Sequence, residues 1–329
     1  MALNAAVVAG LIQGSAKDAW DTIIERVLDI ASKPLSPANA PSEVIKRERE
    51  VGLLDQFVSS AAWDLWQDFG DSVERNSARL ARWWAEPYSA KAILILDGLS
   101  LRELPWILQG AIERGFAVHE VSAYGSELPG ETNEFAKALG LGSRSQLQNN
   151  GGGQSHKLQP AATESVDMPW KDCEGLINSS KNWLFWHHWP DSKVHEGAVA
   201  GQGLDTLSRD AAEQLNSTDF WSFVERLATG RRLVITSDHG YAATGYFPDA
   251  DGEVGTFLKS TFSSGRNARG RGESGPFVPP VAMQIATSHG DCRLAVGRWK
   301  WKSPGGYPTM THGGLSILEV LSPFVELTK

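Results

Sequence analysis

Ala92-Ile93-Leu94-Ile95-Leu96-Asp97-Gly98 sets five apolar residues, without a break, ahead of an acid and a glycine. A strand with one wet face alternates apolar and polar side chains. An unbroken run fits a strand covered on both faces, as in a parallel sheet between helices. Leu104 to Arg114 then has helical spacing, and Phe116-Ala117-Val118-His119-Glu120-Val121 reads as the next strand. Trp183-Leu184-Phe185-Trp186, Leu233-Val234-Ile235-Thr236 and Arg293-Leu294-Ala295-Val296 supply further strands. Strands alternating with helices predict an α/β fold, a mostly parallel sheet flanked by helices. Gly313 to Leu327 reads as a closing apolar helix, interrupted near Pro323.

Upstream the grammar is helical. Ser15 is a candidate N-cap for Trp20, Ile23, Ile24, Val27, Leu28 and Ala31, which recur at helical spacing. Pro34, Pro37 and Pro41 break the chain; Leu54 to Trp66 and Val73 to Trp84 then read as two more helices, closed by Pro87. We therefore expect a helical prefix over 1–88 and a second unit over 89–329. Ser143 to Thr163 and Ser263 to Pro280 read as irregular.

Of the 329 residues 41% are hydrophobic, enough for a large core. A net charge of −8 argues against a surface that traps polyanions as a whole. Thirteen Trp residues point to core packing before base or sugar stacking. Cys173 and Cys292 stand far apart, suiting neither a zinc ribbon nor a disulfide framework; a reducing cytoplasm is the expected home. No basic residues precede the apolar N-terminal run, and no apolar stretch is long enough to span a bilayer, so neither a secretory signal nor a membrane partner is expected.

Ligands of open α/β sheets bind beyond the carboxyl ends of the strands. Asp97, Asp191 and Asp238 follow such ends, and His239 and Gly240 follow Asp238. An Asp-His pair can offer a carboxylate oxygen and an imidazole nitrogen to one metal ion; the same residues also favour an ordinary surface turn. Asp191 and His195 are four apart, on one side of a helical turn if one starts there; a charged loop is the other reading. His312, before Gly313 and Gly314, suits a cap or a ligand. His187 and His188 read as strand residues and are left outside the site.

Ile95-Leu96-Asp97-Gly98, Ile235-Thr236-Ser237-Asp238-His239-Gly240 and Thr311-His312-Gly313-Gly314-Leu315-Ser316 together resemble the PglZ domain of the alkaline-phosphatase superfamily. The resemblance spans about 90–329. It implies an alkaline-phosphatase-like fold with two Zn²⁺, one held by Asp191, His195 and His312, the other by Asp97, Asp238 and His239. It also implies a nucleophilic hydroxyl opening a helix, its oxygen a further zinc ligand, which Leu128-Pro129-Gly130-Glu131-Thr132 matches at Thr132; Ser122 and Ser126 compete for that role. Thr132 would also serve as a helix cap. PglZ sequences commonly have glycine before the first-site histidine, where this chain has Val194.

The function so implied is a phosphoric ester hydrolase acting through a phosphothreonine, with net retention at phosphorus. Phosphodiesters of nucleotide or oligonucleotide type are the expected substrates, and phage defence is an expected setting, with protein partners met through the prefix. Arg266, Arg269, Arg271, Arg298, Lys300 and Lys302, with Trp299 and Trp301, read either as a basic aromatic lip for a nucleotide chain or as a solvated loop. A non-catalytic scaffold and a phosphomutase or phosphotransferase on the same frame are the alternatives. No Gly-x-Gly-x-x-Gly follows the first strand and no P-loop is present, which disfavours dinucleotide and P-loop chemistry.

Overall fold

In the computed structural model, Lys91–Leu96 forms β1, buried at every residue. Its side chains alternate between two cores: Leu94 and Leu96 join one, Ile93 and Ile95 the other. That two-sided burial is why the run carries no polar alternation. The described residues are 3–151, 156–197, 203–270, 281–287, 290–303 and 306–329.

The other strands are β2 (Ala117–Gly125), β3 (Ala162–Val166), β4 (Trp183–His187), β5 (Arg232–Thr236), β6 (Asn267–Arg269), β7 (Ala282–Thr287), β8 (Gly290–Ala295) and β9 (Leu321–Thr328). The main sheet has the order β2-β9-β5-β1-β4-β3, with β3, β4, β1 and β5 parallel and β9 antiparallel to both its neighbours. The expected mixed α/β architecture with a mostly parallel sheet is present. β6, β8 and β7 form a separate antiparallel sheet, so the strand expected at Arg293–Val296 lies outside the main one.

Five helices precede the sheet: α1 (Ala5–Ile12), α2 (Ala16–Ala31), α3 (Ala40–Ala61), α4 (Leu65–Ser72) and α5 (Asn76–Ala85). Ser15 caps α2 as expected, in a reciprocal box with Asp18. Pro41 does not break the chain. It sits in the first turn of α3, where its missing N–H is no loss. The expected helix through Trp66 is two helices, because the chain turns between Ala61 and Leu65.

Within and after the sheet come α6 (Leu104–Glu113), α7 (Thr132–Ala138), α8 (Trp170–Glu174), α9 (Asp191–Gly197), α10 (Leu204–Asn216), α11 (Thr218–Ala228), α12 (Gly252–Phe262) and α13 (Ile317–Val320). α5 and α7 cover the face of Ile93 and Ile95; α2, α3, α6, α10 and α11 share the opposite core. Trp20, Trp66, Trp83, Trp106, Trp186 and Trp221 are fully buried, so the tryptophans do pack the interior.

The closing apolar helix is a correction. Only one turn, α13, is helical, and the rest is β9, inserted between β5 and β2. A strand buried on both faces has the same unbroken hydrophobicity as a buried helix, so periodicity does not separate them. Pro323 fits β9, where Thr236 Oγ1 donates to its carbonyl at 2.6 Å. The stretch 143–163 also holds more order than expected: Arg144–Asn150 winds into 3₁₀ turns and β3 starts at Ala162. Gly152 and Gly153 lie outside the described residues. Cys173 and Cys292 are buried and free. No helix among the described residues is long and apolar enough to cross a membrane.

Buried charge ties α3 to the segments that follow β1 and β8. Glu48 of α3 is 1% exposed and accepts from Arg102 at 2.7 Å; Arg298, also buried, pairs with its other oxygen. Removing one member of such a set strands the others without water. Glu48→Ala should lower the unfolding free energy by about 3–5 kcal/mol, read from the urea midpoint; a loss below about 1 kcal/mol, typical of a surface pair, would contradict this.

Candidate metal centre

β5, β1 and β4 are neighbours and parallel, so their carboxyl ends lie side by side. Asp97 directly follows β1. Its N–H donates to the His187 carbonyl at 2.9 Å, and its own carbonyl accepts from the Asp191 N–H at 2.9 Å. Gly98 turns the chain at φ +71°, where a Cβ would also stand 3.2 Å from the Asp191 side chain. Past β5, Asp238 Oδ1 accepts from the N–H groups of Gly98 at 2.9 Å and His239 at 3.0 Å. At Gly240 a Cβ would meet the Leu318 carbonyl at 2.2 Å, so the requirement is close approach.

Asp191 opens α9, and His195, one turn on, brings Nε2 within 3.3 Å of Asp191 Oδ2. Val194 does not disturb this turn, being buried while His195 points outward. His312 Nε2 lies 3.7 Å from Asp191 Oδ1 and 3.4 Å from His195 Nε2, with its Nδ1 anchored to the Gly130 carbonyl at 3.0 Å. The His312 ring also stacks on His239, centroids 4.4 Å apart. Asp97, Asp191, His195, Asp238, His239, His312 and Thr132 therefore come together from five separate chain segments.

Among the described residues, two groups have donor atoms within 4.8 Å of one another: Asp191, His195 and His312, and Asp97, Asp191 and His239. The first is the expected trio. In the second Asp191 stands where Asp238 was expected, and Asp238 lies alongside with Oδ2 3.5 Å from His239 Nε2. The donors suit a divalent ion such as zinc, combining imidazole nitrogen with carboxylate oxygen. Independent of that chemistry, Asp191 Oδ1 and Asp238 Oδ2 are buried acceptors with no hydrogen-bond partner among the described residues. Orphaned carboxylate oxygens are costly unless something positive faces them. The residues fit the cations.

The charges record the same crowding. Burial, then Asp238 and Asp191, holds Asp97 well above the usual carboxylate range. Burial also opposes ionisation of Asp191, but the His195 hydrogen bond and the nearby His239 and His312 outweigh it and keep Asp191 below that range. Burial opposes a charge on His239 too; Asp238, Asp191 and Asp97 overcome it and raise the imidazole to about 9. A surplus of negative charge recruits a proton when no metal is present.

Thr132 begins α7, with Oγ1 3.2 Å from Asp97 Oδ1 and 3.5 Å from His239 Nε2. Its competitors are occupied elsewhere: Ser126 Oγ donates to the Glu319 carbonyl at 3.4 Å, and the Ser122 hydroxyl bonds Glu120. His187 and His188 stay outside, with Nε2 atoms 2.9 Å from the Met168 carbonyl and 3.0 Å from Ser165 Oγ. Sequence reasoning missed Arg144, which ion-pairs with Asp97 Oδ2 beside the Trp186 Nε1 donor at 3.1 Å. A lone arginine in a segment read as loop gave no signal.

The basic lip is not there as drawn. Arg266 is buried against Glu319, Arg298 pairs with Glu48, and Arg269 is held by Glu131 and Glu134. Trp301 is buried and donates to the Ser263 carbonyl at 2.7 Å. These arginines are paired with carboxylates on or beside α3, α7 and α13; Arg271 lies outside the described residues.

No protein-family model and no curated protein matches the sequence. Among solved structures the chain is similar to murine ectonucleotide pyrophosphatase/phosphodiesterase 5, with a TM-score of 0.47 and 11% identity over 72% of this chain and 87% of that one. An inactive variant of the same murine protein in complex with AMP aligns at TM-score 0.47 and 11% identity, over 73% and 88% of the two chains.

Metal binding separates the shared ligand from the private one. Asp191 borders both groups and His195 only one. Purified protein should carry about two divalent ions per chain by elemental analysis. Asp191→Asn should deplete both and His195→Ala only one. Equal depletion by the two variants would contradict the shared role of Asp191.

Proposed function

We propose that the chain is a two-metal phosphoric ester hydrolase, a phosphodiesterase of nucleotide-like substrates that works through a phosphothreonine on Thr132. The observation that carries this reading is a hydroxyl, Thr132 Oγ1, within 3.5 Å of members of a carboxylate–imidazole cluster that has two unpartnered carboxylate oxygens. Two bound zinc ions would lower the pKa of the nucleophile, offset charge on the phosphoryl oxygens and stabilise the departing oxygen. Asp191, His195 and His312 would hold one; Asp97 and His239, with Asp238 beside them, the other.

Thr132 gives up its proton to solvent and Oγ1 forms the new P–O bond, while the ester oxygen leaves on the opposite side and takes a proton from water. Water then attacks phosphorus from the vacated side, breaks the Oγ1–P bond and returns the hydroxyl. Two inversions give net retention. Arg144, 28% exposed at its side chain, is near enough to exchange its pairing with Asp97 for a non-bridging phosphoryl oxygen; guanidinium suits that partner through parallel N–H donors.

The PglZ resemblance of the three motifs extends the proposal to an intracellular role in phage defence, with partner proteins meeting the prefix of residues 1–88.

With bis-p-nitrophenyl phosphate and p-nitrophenyl phosphate as substrates, Thr132→Ala should lower kcat roughly a thousandfold or more while metal content and melting temperature hold. Unimpaired turnover in that variant would move the nucleophile elsewhere. Arg144→Ala should raise KM about tenfold with a smaller change in kcat, and an unaltered KM would remove Arg144 from substrate binding.

A further inference from the structure

Glu319 is fully buried at the third position of α13 and does not ligate a metal, yet its carboxylate reaches the segment that carries His312. Gly314 N–H donates to Oε1 at 2.5 Å and Ser316 Oγ donates to Oε2 at 2.9 Å. Arg266 Nε sits 3.0 Å from both oxygens. Arg266 is itself fixed, donating to the Gly297 carbonyl at 2.8 Å and the Trp299 carbonyl at 3.3 Å. The intervening Gly313 has φ +94°, and a Cβ there would strike Asn267 Nδ2 at 2.2 Å. His312 thus enters the centre from a segment closely packed at Gly313 and held by the Glu319 carboxylate at Gly314.

We infer that Glu319, held by Arg266, is the positioning residue for His312 and sets the affinity of the metal site made by Asp191, His195 and His312. This rests on the two-metal reading above. A buried carboxylate that accepts a backbone N–H two residues from a ligand removes that segment's freedom before the ion arrives, so less ordering is charged against binding. The other site draws on a different part of the residue. The Glu319 carbonyl accepts from Gly240 N–H at 3.1 Å, an interaction that survives any change of side chain. The side chain therefore bears on one site and the backbone on the other.

The test is a zinc titration of chelator-stripped full-length protein, followed by calorimetry and elemental analysis. Glu319→Gln should weaken one of two binding events roughly 10–100-fold and leave the second as in the wild type. On a His312→Ala background the same substitution should add no further loss, since its only route to the metal has gone. Because Glu319→Gln leaves Arg266 charged and buried, the paired variant R266M/E319M, which removes both charges, repeats the measurement in a chain with no stranded ion. Equal weakening of both events, no weakening, or an undiminished penalty on the His312→Ala background would overturn the assignment. A wild-type chain that takes up no zinc would instead sink the metal reading itself, and this inference with it.

Discussion

Three carboxylates, Asp97, Asp191 and Asp238, sit almost without solvent at the ends of adjacent strands, and the rest of the structure is arranged around that fact. Donor atoms of Asp97 and Asp191 lie within 4.8 Å of one another. Two unit charges at such a range repel by about 4 kcal/mol at an effective dielectric of 20. The chain moderates the cost with backbone N–H groups on Asp238, Trp186 and Arg144 on Asp97, and a charged His239. It stops short of full payment. Every backbone donor to Asp238 goes to Oδ1, leaving Oδ2 aimed at nothing but imidazole, and Asp191 Oδ1 is treated alike. Satisfying one oxygen and withholding the other orients a carboxylate while keeping it competent as a ligand.

Holding that arrangement needs strand ends that do not move. Asn76, at the start of α5, donates to Thr236 Oγ1 at 2.8 Å and to the Ser237 carbonyl at 2.6 Å, pinning the end of β5 just before Asp238. Asp55 of α3 accepts from Ile317 N–H at 3.0 Å, at the base of the turn that follows His312. Trp83 of α5 donates to Glu326 of β9 at 2.6 Å. The prefix helices are therefore part of the scaffold of the centre, buried against it through polar contacts that apolar packing alone would not register.

Side chains that declare their chemistry were legible before any fold was known. β1, β4 and β5 announce themselves by unbroken hydrophobicity, and each is followed by an acid, so Asp97, Asp191 and Asp238 with their histidines could be assembled from strand ends and motif order. What could not be read depends on partners distant in sequence. β3, Ala-Thr-Glu-Ser-Val, is an edge strand with little apolar content, and it begins at the end of a stretch read as irregular. β9 looked helical because burial on both faces erases the period that separates the two structures. Arg144, Arg266 and Arg298 are one residue type with three different fates, and only tertiary context sends the first to Asp97 and the others to buried glutamates.

Burial also decides what a ligand meets. Asp97, Asp238 and His239 are closed off, whereas Thr132 is half-buried, Arg144 is 28% exposed and His195 is 64% exposed at its side chain. An approaching anion thus encounters a hydroxyl, a guanidinium and an imidazole, while the carboxylates that would repel it are turned toward the interior. Charge of one sign is gathered where cations belong, and groups that tolerate an anion face outward. A net charge of −8 over the whole chain is no obstacle to an anionic ligand under that division, because screening shortens the reach of distant surface charge to about 8 Å at physiological salt.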